Sequence, residues 1–181
     1  MKFPILPEFT AEEYLRWEEA RAEKYELHNG FIVGFAGGTL GHDRIAYAVR
    51  TAFERAFAPC VTFGSDVKIQ VSLNSYFYPD VTVVCDDVDL WATAVTSPTV
   101  VAEVLSPSTQ GYDRIYKRGA YRALPSLEAF LIVHVEMRRI EVDARDDSGV
   151  WKTHPYDGGD TALVHGKTFA VDDIYRDTPA V

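Results

Sequence analysis

The run Val100-Val-Ala-Glu-Val-Leu105 constrains the fold more than any other stretch, because its one ionisable group, Glu103, stands among residues apolar on both alternating faces. A strand apolar on both faces is covered on both sides and belongs near the centre of a sheet. An ionised carboxylate held there is costly unless a cation or several donors meet it. Upstream, Tyr76-Phe-Tyr-Pro-Asp-Val-Thr-Val-Val-Cys85 sets a second acid, Asp80, at the head of another apolar strand, and downstream Lys117 falls in a predicted helix. Two acids on neighbouring strands plus one lysine are the minimum set for a divalent cation and an activated water.

The elements around this core follow from local signals. Thr10 and Glu13 form a capping-box pattern that opens a helix from about Ala11 to Ala20. Asn29-Gly30 between Lys24–His28 and Phe31–Ala36 is a hairpin signal, and Gly37-Gly38 makes a corner. From Leu40 to Phe57, Ile45, Val49, Ala52, Phe53 and Ala56 recur at helical spacing. Strands are expected over Val61–Val71 and Tyr76–Cys85, joined through Leu73-Asn74-Ser75, with an acidic irregular connection over Asp86–Pro98. Ser106 to Thr109 offer N-cap hydroxyls for a helix from about Gln110 to Leu124. Ala129–Val135 and Arg139–Ala144 read as a hairpin continuing into Val150–His154, and a helical turn is expected around Asp172–Tyr175. The expected fold is α/β, a mixed sheet flanked by helices, with an extra N-terminal hairpin and a C-terminal β-meander. A chain of 181 residues without an internal repeat or linker suits one domain over residues 1–181.

Charge and composition narrow the function classes. A net charge of −9 argues against a strongly basic nucleic-acid-gripping surface, leaving Arg114, Lys117, Arg118 and Arg122 on one helix as the candidate basic patch. No apolar run approaches a membrane span and the N-terminus lacks a signal-peptide pattern, so no membrane partner and a cytoplasmic location are expected. Cys60 and Cys85 show no metal-like spacing and are expected as two reduced thiols.

In a strand, Val101, Glu103 and Leu105 share a face, and on a helix Asp113, Lys117 and Tyr121, four apart, share another. If that helix face packs over the end of the sheet, Lys117 reaches the two acids. Each residue alone has a structural explanation: Glu103 as a buried paired acid, Asp80 as a strand-entry residue, Lys117 as a solvated lysine, Glu26 as a charge beside a hairpin turn. His42 alone reads as a capping or packing group. His28, His134, His154 and His165 lack metal-like spacing, and Ser106 and Ser108 lack a nucleophile-elbow context.

Taken together, Pro79-Asp80, Glu103 within EVLSPST, and the spaced Asp113, Lys117 and Tyr121 resemble the PD-(D/E)XK nuclease superfamily, and more closely its Uma-type family of restriction endonucleases. Thr10-Ala-Glu-Glu-Tyr-Leu15, Tyr25-Glu-Leu-His-Asn-Gly30 and the Gly37-Gly38 corner before His42 fit that family's opening, so the likeness covers nearly the whole chain. The resemblance implies a metal-dependent DNA endonuclease using Mg2+ or Mn2+. Asp80 and Glu103 would hold the metal with the Val104 carbonyl as a further ligand, Lys117 and Tyr121 would assist, and Glu26 would be an additional acid. The superfamily's usual lysine would stand at Leu105; the resemblance implies that Lys117 replaces it from the helix. A closed two-fold dimer is the expected assembly, with the Phe31–Phe35 hairpin and the Phe130–Val142 meander as candidate interfaces. The competing expectation is a non-catalytic interaction or oligomerisation module that keeps the fold. A glycosidase using Asp80 and Glu103 fits two carboxylates but not the lysine beside them.

Overall fold

Thr10 caps the first helix with a complete capping box: its hydroxyl accepts from the Glu13 N–H while the Glu13 carboxylate accepts from the Thr10 N–H. The computed structural model describes residues 8–34, 38–105 and 113–178, and the side chains of 113 and 114 lie outside that description. Helix α1 spans Ala11–Glu19, and the Asn29-Gly30 hairpin joins β1 (Tyr25–His28) to β2 (Phe31–Gly34). Both turn residues take positive φ, 48° and 88°, as a two-residue hairpin turn requires. Helix α2 (Leu40–Ala56) follows, capped by Thr39, and buries Ile45, Val49 and Phe53, the stripe set by the helical spacing.

The two long strands expected next are each divided. Val61–Gly64 (β3) and Lys68–Ser72 (β4) are separated by a turn at Ser65-Asp66, and Ser75–Phe77 (β5) is parted from Val81–Val84 (β6) at Tyr78-Pro79-Asp80. Proline has no N–H to give a ladder, so the chain leaves one sheet at Pro79 and enters another. The short β7 (Ala94–Val95) lies within the connection expected to be irregular, and β8 (Val100–Val104) follows. A π-helical turn, Asp113–Lys117, leads into α3 (Arg118–Arg122). The N-cap expected at Ser106 to Thr109 lies outside the described residues. The meander is β9 (Ala129–Val133), β10 (Arg139–Arg145) and β11 (Trp151–Asp157). A final hairpin, β12 (Thr161–Val164) and β13 (Lys167–Ala170), turns at His165-Gly166, and α4 (Val171–Ile174) closes the order.

Among the described residues the strands form a six-stranded sheet in the order β11-β10-β9-β8-β6-β3, a five-stranded sheet β2-β1-β5-β4-β7, and the β12-β13 pair. In the larger sheet β8 is central, antiparallel to β6 and parallel to β9, and all five of its residues are buried. Its alternation divides the core. Ala102 and Val104 join α2 and α4 on one face, while Val101 and Leu105 join Tyr121 of α3 and Ile69 and Phe77 of the smaller sheet on the other. The protein is therefore mixed α/β, and Glu103 faces the layer between the two sheets.

Two expectations are corrected here. Cys60 and Cys85 are joined in a disulfide rather than standing as two thiols, because the β3–β6 register Val61↔Val84, carried one step further, brings their Cα atoms to 4.4 Å. The Phe130–Val142 segment offers no apolar interface through Phe130, Leu131, Ile132, Val133, Ile140 or Val142, all of which are core; Phe31 and Val33 are exposed at the β2 edge.

Candidate functional site

Strand alternation builds the site from β1. Leu27 packs with Tyr14 and Tyr76 beneath α1, so Glu26 and His28 point the other way, toward the larger sheet. The Glu26 carboxylate is buried yet well partnered. Its Oε1 accepts from the Lys117 Nζ at 2.9 Å and the Tyr78 backbone N–H at 2.8 Å, and its Oε2 meets His28 Nε2 at 2.7 Å. The His28 ring stacks on Tyr116 and tilts against Phe77.

Lys117 links this strand to the centre of the larger sheet. Its Nζ donates to Glu103 Oε1 at 3.2 Å, and the Tyr121 hydroxyl donates to the same oxygen at 2.9 Å. Lys117 and Tyr121 thus share one face, as their four-residue spacing requires. Glu103 is 4% exposed and Lys117 7%. A lysine and two acids this deeply buried are tolerable because both carboxylates accept from the Lys117 ammonium and from further donors.

Asp80 stands at the other side of β8. One step beyond the Val81↔Ala102 pair, β6 ends at Pro79-Asp80, and the carboxylate takes over the ladder: Asp80 Oδ2 accepts the Val104 N–H at 2.7 Å. The Val104 carbonyl is met by His42 Nε2 at 3.0 Å, and that same nitrogen lies 3.4 Å from Asp80 Oδ2. The hydrogen bond that the His42 ring donates to the Asp80 carboxylate raises the His42 pKa; burial opposes it, and the Asp80 charge and the Val104 carbonyl add to the rise. Asp80 and Glu103 therefore flank neighbouring backbone on adjacent strands, Asp80 with His42 and Glu103 with Lys117. The side-chain position of Asp113 lies outside the described residues. Among the described residues, no three His, Cys, Asp or Glu side chains stand together as a metal cluster. The oxygen groups that could take a hard cation here are the Asp80 carboxylate, the Val104 carbonyl and, beside them in sequence, the Glu103 carboxylate.

Burial pushes the Glu26 carboxyl up, but His28 and Lys117 outweigh it and hold it below the usual carboxylate range. A depressed folded pKa contributes stability that is full above the unfolded value and is lost as pH falls through the folded one. Thermal melts across acid pH should therefore show Glu26→Gln losing less stability on acidification than wild type. An identical acid limb in the two proteins would contradict this coupling.

The basic patch is largely spent inside the fold. Arg118 and Arg122 both grip Asp143, which is 1% exposed, and both reach Thr153 Oγ1, while Lys117 is in the buried cluster. An isolated carboxylate at the Asp143 position would be prohibitive, and the arginine forks neutralise it. Sequence reasoning missed the parts played by His28 and His42. The i, i+2 spacing of Glu26 and His28 on a strand was an available signal for the first. Nothing local links His42 to Asp80 or Val104.

The sequence profile of the Uma2 family, described as a putative restriction endonuclease, matches residues 11–172. The chain belongs to that family. It is 39% identical over 176 residues to the uncharacterized protein slr1290 of Synechocystis sp., covering 94% of this chain and 93% of that one. It is 36% identical over 138 residues to sll1609 of the same organism, also uncharacterized, covering 73% and 78%. Among solved structures, it resembles a crystal structure from Anabaena variabilis described as a putative nuclease belonging to DUF820, with a TM-score of 0.71 over 96% of this chain and 98% of that one. At 15% identity that likeness shows the fold, which is restriction-endonuclease-like. Uma2 membership and this fold together suggest a nuclease.

Proposed function

We propose that the protein is a metal-dependent DNA endonuclease whose site is built from Asp80, Glu103, the Val104 carbonyl, Lys117, Glu26 and Tyr121. The observation that carries this reading is the buried Lys117 ammonium, which crosses from α3's lead-in turn to Glu103 on the central strand and to Glu26 on β1. A purely structural sheet has no need of a desolvated lysine between two acids, and an apolar trio would be as stable or more so. The donor set fits a hard cation, since the groups beside Asp80 are carboxylate and carbonyl oxygens. A bound Mg2+ or Mn2+ would supply an activated water and polarise the scissile phosphoryl group. Lys117, fixed by Glu26, presents positive charge where a phosphorane develops negative charge. Tyr121 and Glu26 orient Glu103 and Lys117 so that neither needs to reorganise when substrate arrives. His28 in turn fixes Glu26.

Cleavage by a single domain over residues 1–181, a cytoplasmic setting, and a two-fold dimer presenting two sites to the two strands belong to the same proposal. The test is conversion of supercoiled DNA in Mg2+ or Mn2+ beside a chelator control. Nicked product that depends on the cation supports the reading, and linear product appearing with it supports paired sites. DNA left intact across both cations and several DNA forms would overturn it. The second reading, an interaction module, draws on one observation: Arg118 and Arg122 face inward to Asp143, which takes them out of the basic patch that a polyanion would need on this helix.

A further inference from the structure

Resting on the nuclease reading, we infer that His42 is a nitrogen ligand to the cation and biases the site toward Mn2+ over Mg2+. Two observations carry it. The first is distance. Two ligands at right angles on an octahedral cation, each about 2.1 Å from it, stand about 3 Å apart. His42 Nε2 lies 3.0 Å from the Val104 carbonyl oxygen and 3.4 Å from Asp80 Oδ2, beside the two oxygens the cation would use. The imidazole already stands at the spacing of a ligand edge.

The second observation is how the ring is placed. Thr39 caps the helix through the His42 N–H, which sets His42 in the first turn of α2, above the end of β8. The His42 side chain lies close to Gly38, where a Cβ would come within 2.8 Å of Nδ1. Glycine at that corner leaves room for the imidazole to lie with Nε2 inward, so the Gly38 and His42 positions act as one device. Ligation would use the Nε2 lone pair of the neutral ring, with its single proton on Nδ1. Imidazole suits transition metals, whereas Mg2+ prefers oxygen and its own waters. An imidazole added to the carboxylate and carbonyl oxygens of this site therefore distinguishes the two cations by its nitrogen.

The experiment loads the full chain with Mn2+ alone and reads pulsed electron paramagnetic resonance, with Kd taken from the free-Mn2+ signal and Mg2+ measured by competition. Wild type should show one directly bound nitrogen and bind Mn2+ more tightly than Mg2+. His42→Asn should lose the nitrogen coupling and weaken Mn2+ by about tenfold or more, with a smaller loss for Mg2+. Gly38→Ala, which keeps the imidazole but crowds it, should weaken Mn2+ in the same direction. His154→Asn, at an exposed strand position, should retain both coupling and affinity. Circular dichroism melts confirm that each variant is folded. Mn2+ bound without any nitrogen coupling overturns the role of His42 while leaving the nuclease reading standing. Absence of Mn2+ binding to wild type overturns both.

Discussion

Asp80→Asn should nick supercoiled DNA at least about a hundredfold more slowly than wild type in either cation, the scale set by losing one charge-stabilising group. The substitution is close to isosteric. The asparagine carbonyl can still accept the Val104 N–H that Asp80 Oδ2 accepts at 2.7 Å, so the end of β6 stays in place. What disappears is the negative charge on the solvent-facing side of the site. Melting temperatures of the two proteins should differ little, which separates loss of chemistry from loss of fold. Equal nicking rates would remove Asp80 from the site.

Replacing Lys117 with Met should instead strike stability. Glu26 and Glu103 would be left buried with no ammonium between them, each now facing a like charge. Removing one partner from a buried charge network costs about 3–5 kcal/mol. For a chain of this size that corresponds to a drop in Tm of roughly 6–20 °C. The loss should shrink as pH falls: stranded buried acids bind protons more readily folded than unfolded, and protonation relieves the repulsion. Glu103→Gln should be far milder, because Tyr121 can still donate to the amide carbonyl and Lys117 keeps Glu26. Melts of wild type, Lys117→Met, Glu103→Gln and the double variant at acid and mildly alkaline pH check the set. A Lys117→Met protein as stable as wild type would show that the ammonium is not the counter-ion of the buried acids.

Much of the fold was legible in local sequence. The capping box at Thr10, the Asn29-Gly30 turn and the helical stripe of α2 are short-range signals, set by the hydrogen bonds and side-chain spacing of a few neighbouring residues, and each produced the expected element. The doubly apolar run around Glu103 likewise determined a central strand, because alternation alone says both faces are covered. Where the chain changes sheets was not legible in the same way. Val61–Val71 and Tyr76–Cys85 each read as continuous β, yet Ser65-Asp66 and Pro79 carry the chain between two sheets, and only the packed structure shows which strand pairs with which. The pairing of Cys60 with Cys85 follows from that register and from nothing in their spacing.

The candidate site divides along the same line. The sequence by itself determined which residue types stand on which strand or helix face: Glu103 inward on its strand, Lys117 and Tyr121 on one helical face, Asp80 at a strand head after proline. Tertiary structure alone decided their partners. Lys117 is 91 residues from Glu26, and His42 is 62 from Val104, separations across which no periodicity carries information. It also decided that Arg118 and Arg122, which in sequence read as a basic patch for DNA, turn inward to neutralise Asp143. A charge's role depends on what the fold buries beside it, because an unpaired carboxylate in the core costs more than an exposed salt bridge contributes. Side-chain chemistry is written residue by residue; which charges must meet is settled only when distant strands close over them.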